Sequence, residues 1–240
     1  MDYELARFNM VEQQIRPWDV LDQEVLDLLM ATRREEFVSP EYRALAFSDL
    51  EVPIAIAGKP TGETMLAPKV EGRILQALAL KRHESALLIG AGSGYLAALM
   101  SYRARKITAI EIHPDIEKLA ISHLKRAGIS SVQVHQGNGL DWLKSPVVSQ
   151  GDDDEASSPS QERFDAVVFA GGLSELPEGL NTALNPGARV FAFLGEFPIV
   201  QAILFTASKT GRVTELFEDI LFETAVKPLR ETPKVSRFKF

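Results

Sequence analysis

The run Ala86-Leu87-Leu88-Ile89-Gly90-Ala91-Gly92-Ser93-Gly94-Tyr95 constrains the fold more than any other part of the chain. An apolar strand from Ser85 to Ile89 runs into three alternating glycines, and a helix from Tyr95 to Tyr102 follows. Glycines at such a turn reach dihedrals that other residues avoid and let a ligand approach the backbone closely. The helix start that follows aims its free N–H groups at the same crevice. This is the first βα turn of a doubly wound sheet.

The glycine spacing separates two ligand classes. Dinucleotide-binding turns read G-x-G-x-x-G. Here the pattern is G-x-G-x-G, with Tyr95 and Leu96 where the longer pattern places its last glycine. A turn this tight, with no diphosphate to cradle, suits an adenosyl amino acid. Gly90, Ala91, Gly92, Ser93 and Gly94 are therefore the expected cofactor contacts. Glu111 ends the next strand, Lys106 to Glu111, about 20 residues on, where a carboxylate accepts from both ribose hydroxyls. Ile112, next in sequence, is grouped with it. The third strand, Ser131 to His135, leads into Gln136-Gly137-Asn138-Gly139. Asn138 can donate to and accept from adenine's edge, although Asn-Gly is also an ordinary turn pair.

The remainder of the chain frames this unit. Apolar residues recur at helical spacing through the first 50 or so residues, with Pro17 separating two helical stretches. Pro53, Gly58, Pro60 and Gly62 mark Val52 to Thr64 as a loop with at most a short strand at its start. Pro68 opens a helix. Strands and helices then alternate: a helix from Pro114 to Ala127, a strand from Phe164 to Phe169, a helix from Glu175 to Leu184, and strands over 189–194, 199–205 and 213–221. The expected fold is α/β, a mostly parallel sheet of about seven strands with an N-terminal helical extension. Residues 1–67 form that extension and an active-site loop, and 68–240 form the core of one compact unit. The stretch 145–163, with Gly151-Asp152-Asp153-Asp154-Glu155, reads as a solvated acidic loop.

Composition narrows the function. The chain has no cysteine, which excludes disulfides, thiolate nucleophiles and cysteine-bound metals. The four histidines stand at no metal-ligand spacing, so no metal is expected. A net charge of -7 argues against a main affinity for nucleic acid but leaves room for a local basic patch. No apolar run is long enough for a membrane span, and the first residues lack the order of a signal peptide. A cytoplasmic location follows as an expectation.

Taken together, the segments resemble the protein-L-isoaspartate O-methyltransferase family. Met10-Val11-Glu12-Gln13-Gln14-Ile15, with Val20, Leu21, Val25 and Leu26, is similar to that family's N-terminal helices. Arg34-Glu35-Glu36-Phe37-Val38, Ala46-Phe47-Ser48-Asp49 and Val52-Pro53-Ile54 are similar to the segments that follow. Ile89 to Tyr95, Phe164-Asp165-Ala166-Val167-Val168 and Leu184-Asn185-Pro186-Gly187-Ala188-Arg189 are similar to its cofactor turn, fourth strand and approach to the fifth. The resemblance implies a class I methyltransferase fold and S-adenosylmethionine as cofactor. It also implies methyl transfer to the α-carboxylate of isoaspartyl residues in damaged proteins, so the expected partner is a protein or peptide. Family analogy favours a monomer.

Two departures stand out. The family's Thr-Ile-Ser before x-Pro reads Thr64-Met65-Leu66-Ala67-Pro68 here, so the substrate-touching serine falls on Leu66. The family's Asp-Gly after strand three reads Asn138-Gly139. Thr64, through its hydroxyl, and Lys59, through its charge, are the replacements expected at the acceptor. Leu66 also keeps open a methyltransferase with another acceptor, or a cofactor-binding protein without catalysis. The glycine spacing disfavours a dinucleotide oxidoreductase.

Overall fold

The computed structural model describes residues 2–144, 162–196, 198–209 and 215–230. The chain starts with helix α1 (Tyr3–Met10), whose N-terminus is capped by the Asp2 carboxylate accepting from the Glu4 and Leu5 amides. The helix continues through a wider turn over Val11–Ile15 and a 3-10 turn over Arg16–Trp18, where Pro17 ends it. Helix α2 (Gln23–Ala31) is capped in the same way by Asp22.

Strands β1 (Val52–Ile56) and β2 (Lys59–Met65) pair antiparallel as a separate hairpin. This replaces the loop expected there. Ala57 and Gly58 both take positive φ, 49° and 77°, as a two-residue hairpin turn requires. Pro53 and Pro60 masked the strands in sequence, and a free two-stranded ribbon tolerates both because it is all edge.

Helix α3 (Pro68–Leu78) follows, opened by Pro68 at its first position. It packs tightly under the N-terminal helices: a Cβ added at Gly72 would stand 3.2 Å from side-chain carbons of both Ile15 and Val20. The alternating elements are then β3 (Ser85–Ile89), α4 (Tyr95–Ser101), β4 (Lys106–Glu111), α5 (Pro114–Arg126), β5 (Val132–Gln136), α6 (Gly139–Lys144), β6 (Phe164–Leu173), β7 (Leu184–Glu196), β8 (Ile199–Ala207) and β9 (Leu216–Thr224). The helix expected over Glu175–Leu184 is a single 3-10 turn, Leu180–Ala183. Pro177 removes a donor there, and Gly179 adopts φ 86°. The acidic stretch at 145–161 lies outside the described residues.

Seven strands form one sheet in the order β5-β4-β3-β6-β7-β8-β9. The first five are parallel, and β8 and β9 close the edge antiparallel. Every residue of β3 is buried, as a central strand covered on both faces demands. From β3 the chain runs outward to β4 and β5, then returns to β6 on the other side of β3. That reversal opens a crevice beyond the carboxyl ends of β3 and β6. One core cluster joins Met10, Val11 and Ile15 to Leu88, Val168 and Phe191, so the N-terminal helices and the sheet share buried apolar contacts. No described helix is long and apolar enough to cross a membrane.

Candidate active site

The crevice holds a pocket floored by the ends of the central strands. Ile89 to Ser93, Ile110 to His113 and Gly137 to Leu140 form one half of its lining. The hairpin residues Glu51, Ile54 and Glu63 to Leu66, with Val226 to Arg230 from the C-terminal segment, form the other. Gly90, Gly92 and Gly94 all adopt positive φ, 94°, 53° and 86°. At Gly94 an added Cβ would also meet the Ala120 carbonyl oxygen at 3.2 Å.

Four amides of the turn are bonded within the protein. Gly90 and Ala91 donate to the Ile110 carbonyl, at 2.9 and 3.2 Å, and Gly94 donates to the Ala91 carbonyl at 3.0 Å. Gly92 N donates to Oε2 of Glu111 at 2.9 Å, and His113 N donates to Oε1 at 3.1 Å. A diphosphate cradle needs these N–H groups free, and it tolerates no carboxylate in their midst. The turn is closed by Glu111 instead. Burial pushes the Glu111 carboxyl above its usual range, and the two backbone donors partly restore it. Each oxygen accepts one backbone bond and keeps acceptor capacity toward the pocket.

Ile89, Ile110, Ile112 and Leu140 line this half and offer an apolar slot suited to a purine. Asn138 lines it too, with its Oδ1 accepting from Leu140 N at 2.9 Å at the start of α6. Gly139 packs against Ile89: an added Cβ would lie 2.5 Å from a carbon of that side chain. The donor set, the closed turn and the apolar slot fit an adenosyl amino acid. Ser93 is fixed from behind, its carbonyl 2.9 Å from Nδ1 of the buried His123.

The half formed by the hairpin and the C-terminal segment is assembled differently. Thr64 Oγ1 donates to Glu51 Oε2 at 2.9 Å, and burial raises the Glu51 carboxyl against the pull of Lys227. Leu66 is buried in the wall, and its carbonyl accepts from Arg34 Nη2 at 2.7 Å. Arg34 is fully buried, pairs with Glu71, and stacks its guanidinium 4.8 Å from the Tyr95 ring centre. Burial pushes Glu71 up to about 7 although Arg34 opposes it. Lys59 sits exposed beside the hairpin turn and is not among the residues that line the pocket.

The C-terminal segment straps the mouth. Gly172 holds it through its backbone, its N–H donating to the Lys227 carbonyl at 2.8 Å and its carbonyl accepting from Leu229 N at 2.9 Å. Lys227 Nζ donates to the Gly62 carbonyl at 3.0 Å, and Arg230 Nε donates to Glu63 Oε1 at 2.6 Å. His113 Nε2 stands 3.4 Å from that same Glu63 oxygen. Sequence reasoning named Thr64 and Leu66 but missed Glu51, Glu63, the Arg34–Glu71 pair and the strap.

A family model described as protein-L-isoaspartate(D-aspartate) O-methyltransferase matches residues 6–227. The chain belongs to this family. A curated relative from Koribacter versatilis, named protein-L-isoaspartate O-methyltransferase, is 30% identical over 211 residues, 88% of this chain and 86% of the relative. Protein-L-isoaspartate O-methyltransferase 1 of Rhodopseudomonas palustris (strain HaA2) is 35% identical over 189 residues, 79% of this chain and 69% of the relative. A solved structure of a Plasmodium falciparum protein described as the same enzyme, in complex with S-adenosyl-L-homocysteine, has the same fold. It superposes with a TM-score of 0.73 at 19% identity, covering 97% of this chain and all of that one. The resemblance read from the segments of the sequence is thus a family membership, and the fold is that of the family's solved members.

Proposed function

We propose that the chain is an S-adenosylmethionine-dependent methyltransferase that esterifies the carboxylate of isoaspartyl residues in proteins and peptides. Family membership supports this reading. The observation that carries it in the site is the glycine turn closed by Glu111, which suits an adenosyl group and not a diphosphate. S-adenosylmethionine, when bound, supplies a methyl group on a positively charged sulfur. Glu111 holds the ribose hydroxyls, and the Ile89–Ile112–Leu140 slot takes the base. The acceptor enters between Thr64, Leu66 and the strap.

An isoaspartyl carboxylate has a reference pKa of about 4 and is ionised at neutral pH, so the site requires no general base. The protein's contribution is alignment and exclusion of water, worth roughly 7–11 kcal/mol when geometry is good. Leu66 fits that account: its side chain cannot orient the acceptor by a hydrogen bond, but it keeps the wall dry. Thr64, held by Glu51, supplies a hydroxyl in the same wall. Loss of the family serine therefore lowers efficiency without removing the chemistry.

The test is transfer of a labelled methyl group from S-adenosylmethionine to an isoaspartyl peptide, with its aspartyl twin alongside. Label in the isoaspartyl peptide alone is the expected result. Cofactor binding without transfer to either peptide would refute the acceptor assignment, since Leu66 alters that half of the pocket and leaves the turn intact.

A further inference from the structure

The N-terminal region carries a second cleft that shares no lining residue with the methyl-transfer pocket. It lies among α1, the 3-10 turns Arg34–Glu36 and Pro40–Leu45, and the C-terminal end of α5. Four guanidinium groups line it, from Arg7, Arg33, Arg43 and Arg126. Three carboxylates share the wall, from Glu4, Glu35 and Glu36.

The pairing inside the cleft is incomplete. Arg7 Nη2 is bonded to Glu35 at 2.6 Å, and Arg33 meets Glu36 at 3.2 Å. Arg126 donates to the Glu36 backbone oxygen, a neutral partner. Arg43 is half-buried and makes no side-chain hydrogen bond or ion pair among the described residues. Glu4 is exposed in the first turn of α1. The cleft is therefore locally basic in a chain whose net charge is -7.

Two donors are buried without an acceptor, Nε of Arg7 and Nε of Arg43. The Arg7 side chain is only 9% exposed, so it sits in a built site and not on a loose surface. Buried polar atoms left unpaired are uncommon, and charged donors are the costliest to leave so. One buried acceptor is also open, Oε2 of Glu35. The cleft thus offers several N–H donors around one acceptor.

We propose that this cleft binds a phosphoryl group, with Arg43 and Arg7 as its chief donors. Arginine pairs with phosphate oxygens through two parallel bonds. A phosphomonoester has its second pKa near about 6, so around neutrality it exists partly with a P–OH. That P–OH can donate to Glu35 Oε2 while the other oxygens accept from the guanidinium groups. Sulfate carries the same shape without that proton, so the cleft discriminates between the two. The phosphoryl group belongs either to a free small molecule or to a phosphorylated side chain of a peptide, and the chemistry of recognition is shared.

The experiment is isothermal titration of the whole chain at pH 6 and constant ionic strength with inorganic phosphate, a phosphoseryl peptide and sulfate. Saturable binding of phosphate or of the peptide, with sulfate clearly weaker, is expected; the tighter of the two identifies the source. Arg43→Gln loses no internal ion pair and is expected to weaken binding at least about tenfold. Arg126→Gln gives a second variant, and Arg82→Gln, outside the cleft, is expected to change nothing. Unchanged affinity for S-adenosylhomocysteine verifies that each variant is folded. No saturable binding, sulfate as tight as phosphate, or Arg43→Gln and Arg126→Gln both equal to wild type would overturn the proposal.

Discussion

The two halves of the methyl-transfer pocket are coded in opposite ways. The cofactor half comes from three short runs at the ends of adjacent parallel strands, 89–93, 110–113 and 137–140. Each run is a local strand-to-helix turn, and the sheet brings them together. The acceptor half joins a hairpin to the far end of the chain: Lys227 reaches Gly62 across 165 residues, and Arg230 reaches Glu63 across 167. A half built from turns is held by backbone geometry. A half built from long-range side-chain bonds can change its chemistry by single substitutions, and Leu66, where the resemblance places a serine, is the proposed case.

The largest expected effect lies beneath the acceptor half. Arg34→Met leaves the Glu71 carboxyl buried without its partner, so that it must take up a proton or stay charged and unpaired, and should cost about 3–5 kcal/mol in urea unfolding. Adding Glu71→Leu should recover most of that, because the unpartnered buried carboxyl goes with it. If the single variant is as stable as wild type, the pair does not support the Leu66 wall.

Glu111→Ala comes next, and it sharpens the contrast from the cofactor side. Losing a charged acceptor for two hydroxyls should weaken S-adenosylhomocysteine about 30- to 100-fold by calorimetry, with the fold retained. Unchanged affinity would remove Glu111 from the ribose site.

Leu66→Ser introduces the hydroxyl that the resemblance places at this position. It should raise kcat/KM for an isoaspartyl peptide by roughly threefold to tenfold, as one added hydrogen bond does, while cofactor affinity stays put. A change in cofactor affinity instead would mean that the two halves are not separable.

The smallest effect is a pH slope. The Glu71 carboxyl is raised from 4.5 to about 7 in the folded chain. Between those values the folded chain holds a proton that the unfolded chain has released, so stability falls as pH rises through the window. Glu71→Gln should flatten that fall in denaturant titrations at pH 5, 6 and 7. A slope unchanged by the substitution would assign it to another group.

The same contrast explains what the sequence disclosed. Gly90 to Ser93 and Glu111, which line the pocket, were legible as candidates because glycine spacing and a strand-end acid are local signals. The alternating apolar runs of β3, β4 and β6 were legible for the same reason. The β1–β2 hairpin was read as a loop because Pro53 and Pro60 hid it, and its Ala57-Gly58 turn is not one of the usual Asn-Gly or Asp-Gly pairs. The helix expected over Glu175–Leu184 failed because Pro177 and Gly179 outweighed its apolar spacing. Nothing local marks Glu51, Glu63 or Val226 to Arg230, since their role arises only when the hairpin meets the strap. Lys59 stands at the turn end of that hairpin, away from the Glu63 to Leu66 end that lines the pocket.

The most direct measurement is a crystal structure of the chain with S-adenosylhomocysteine and an isoaspartyl peptide. The account predicts the ribose hydroxyls on Glu111, the sulfur facing Thr64 and Leu66, and the peptide carboxylate between the hairpin and residues 226–230. A ribose held away from Glu111, or a peptide bound outside the space between hairpin and strap, would contradict it.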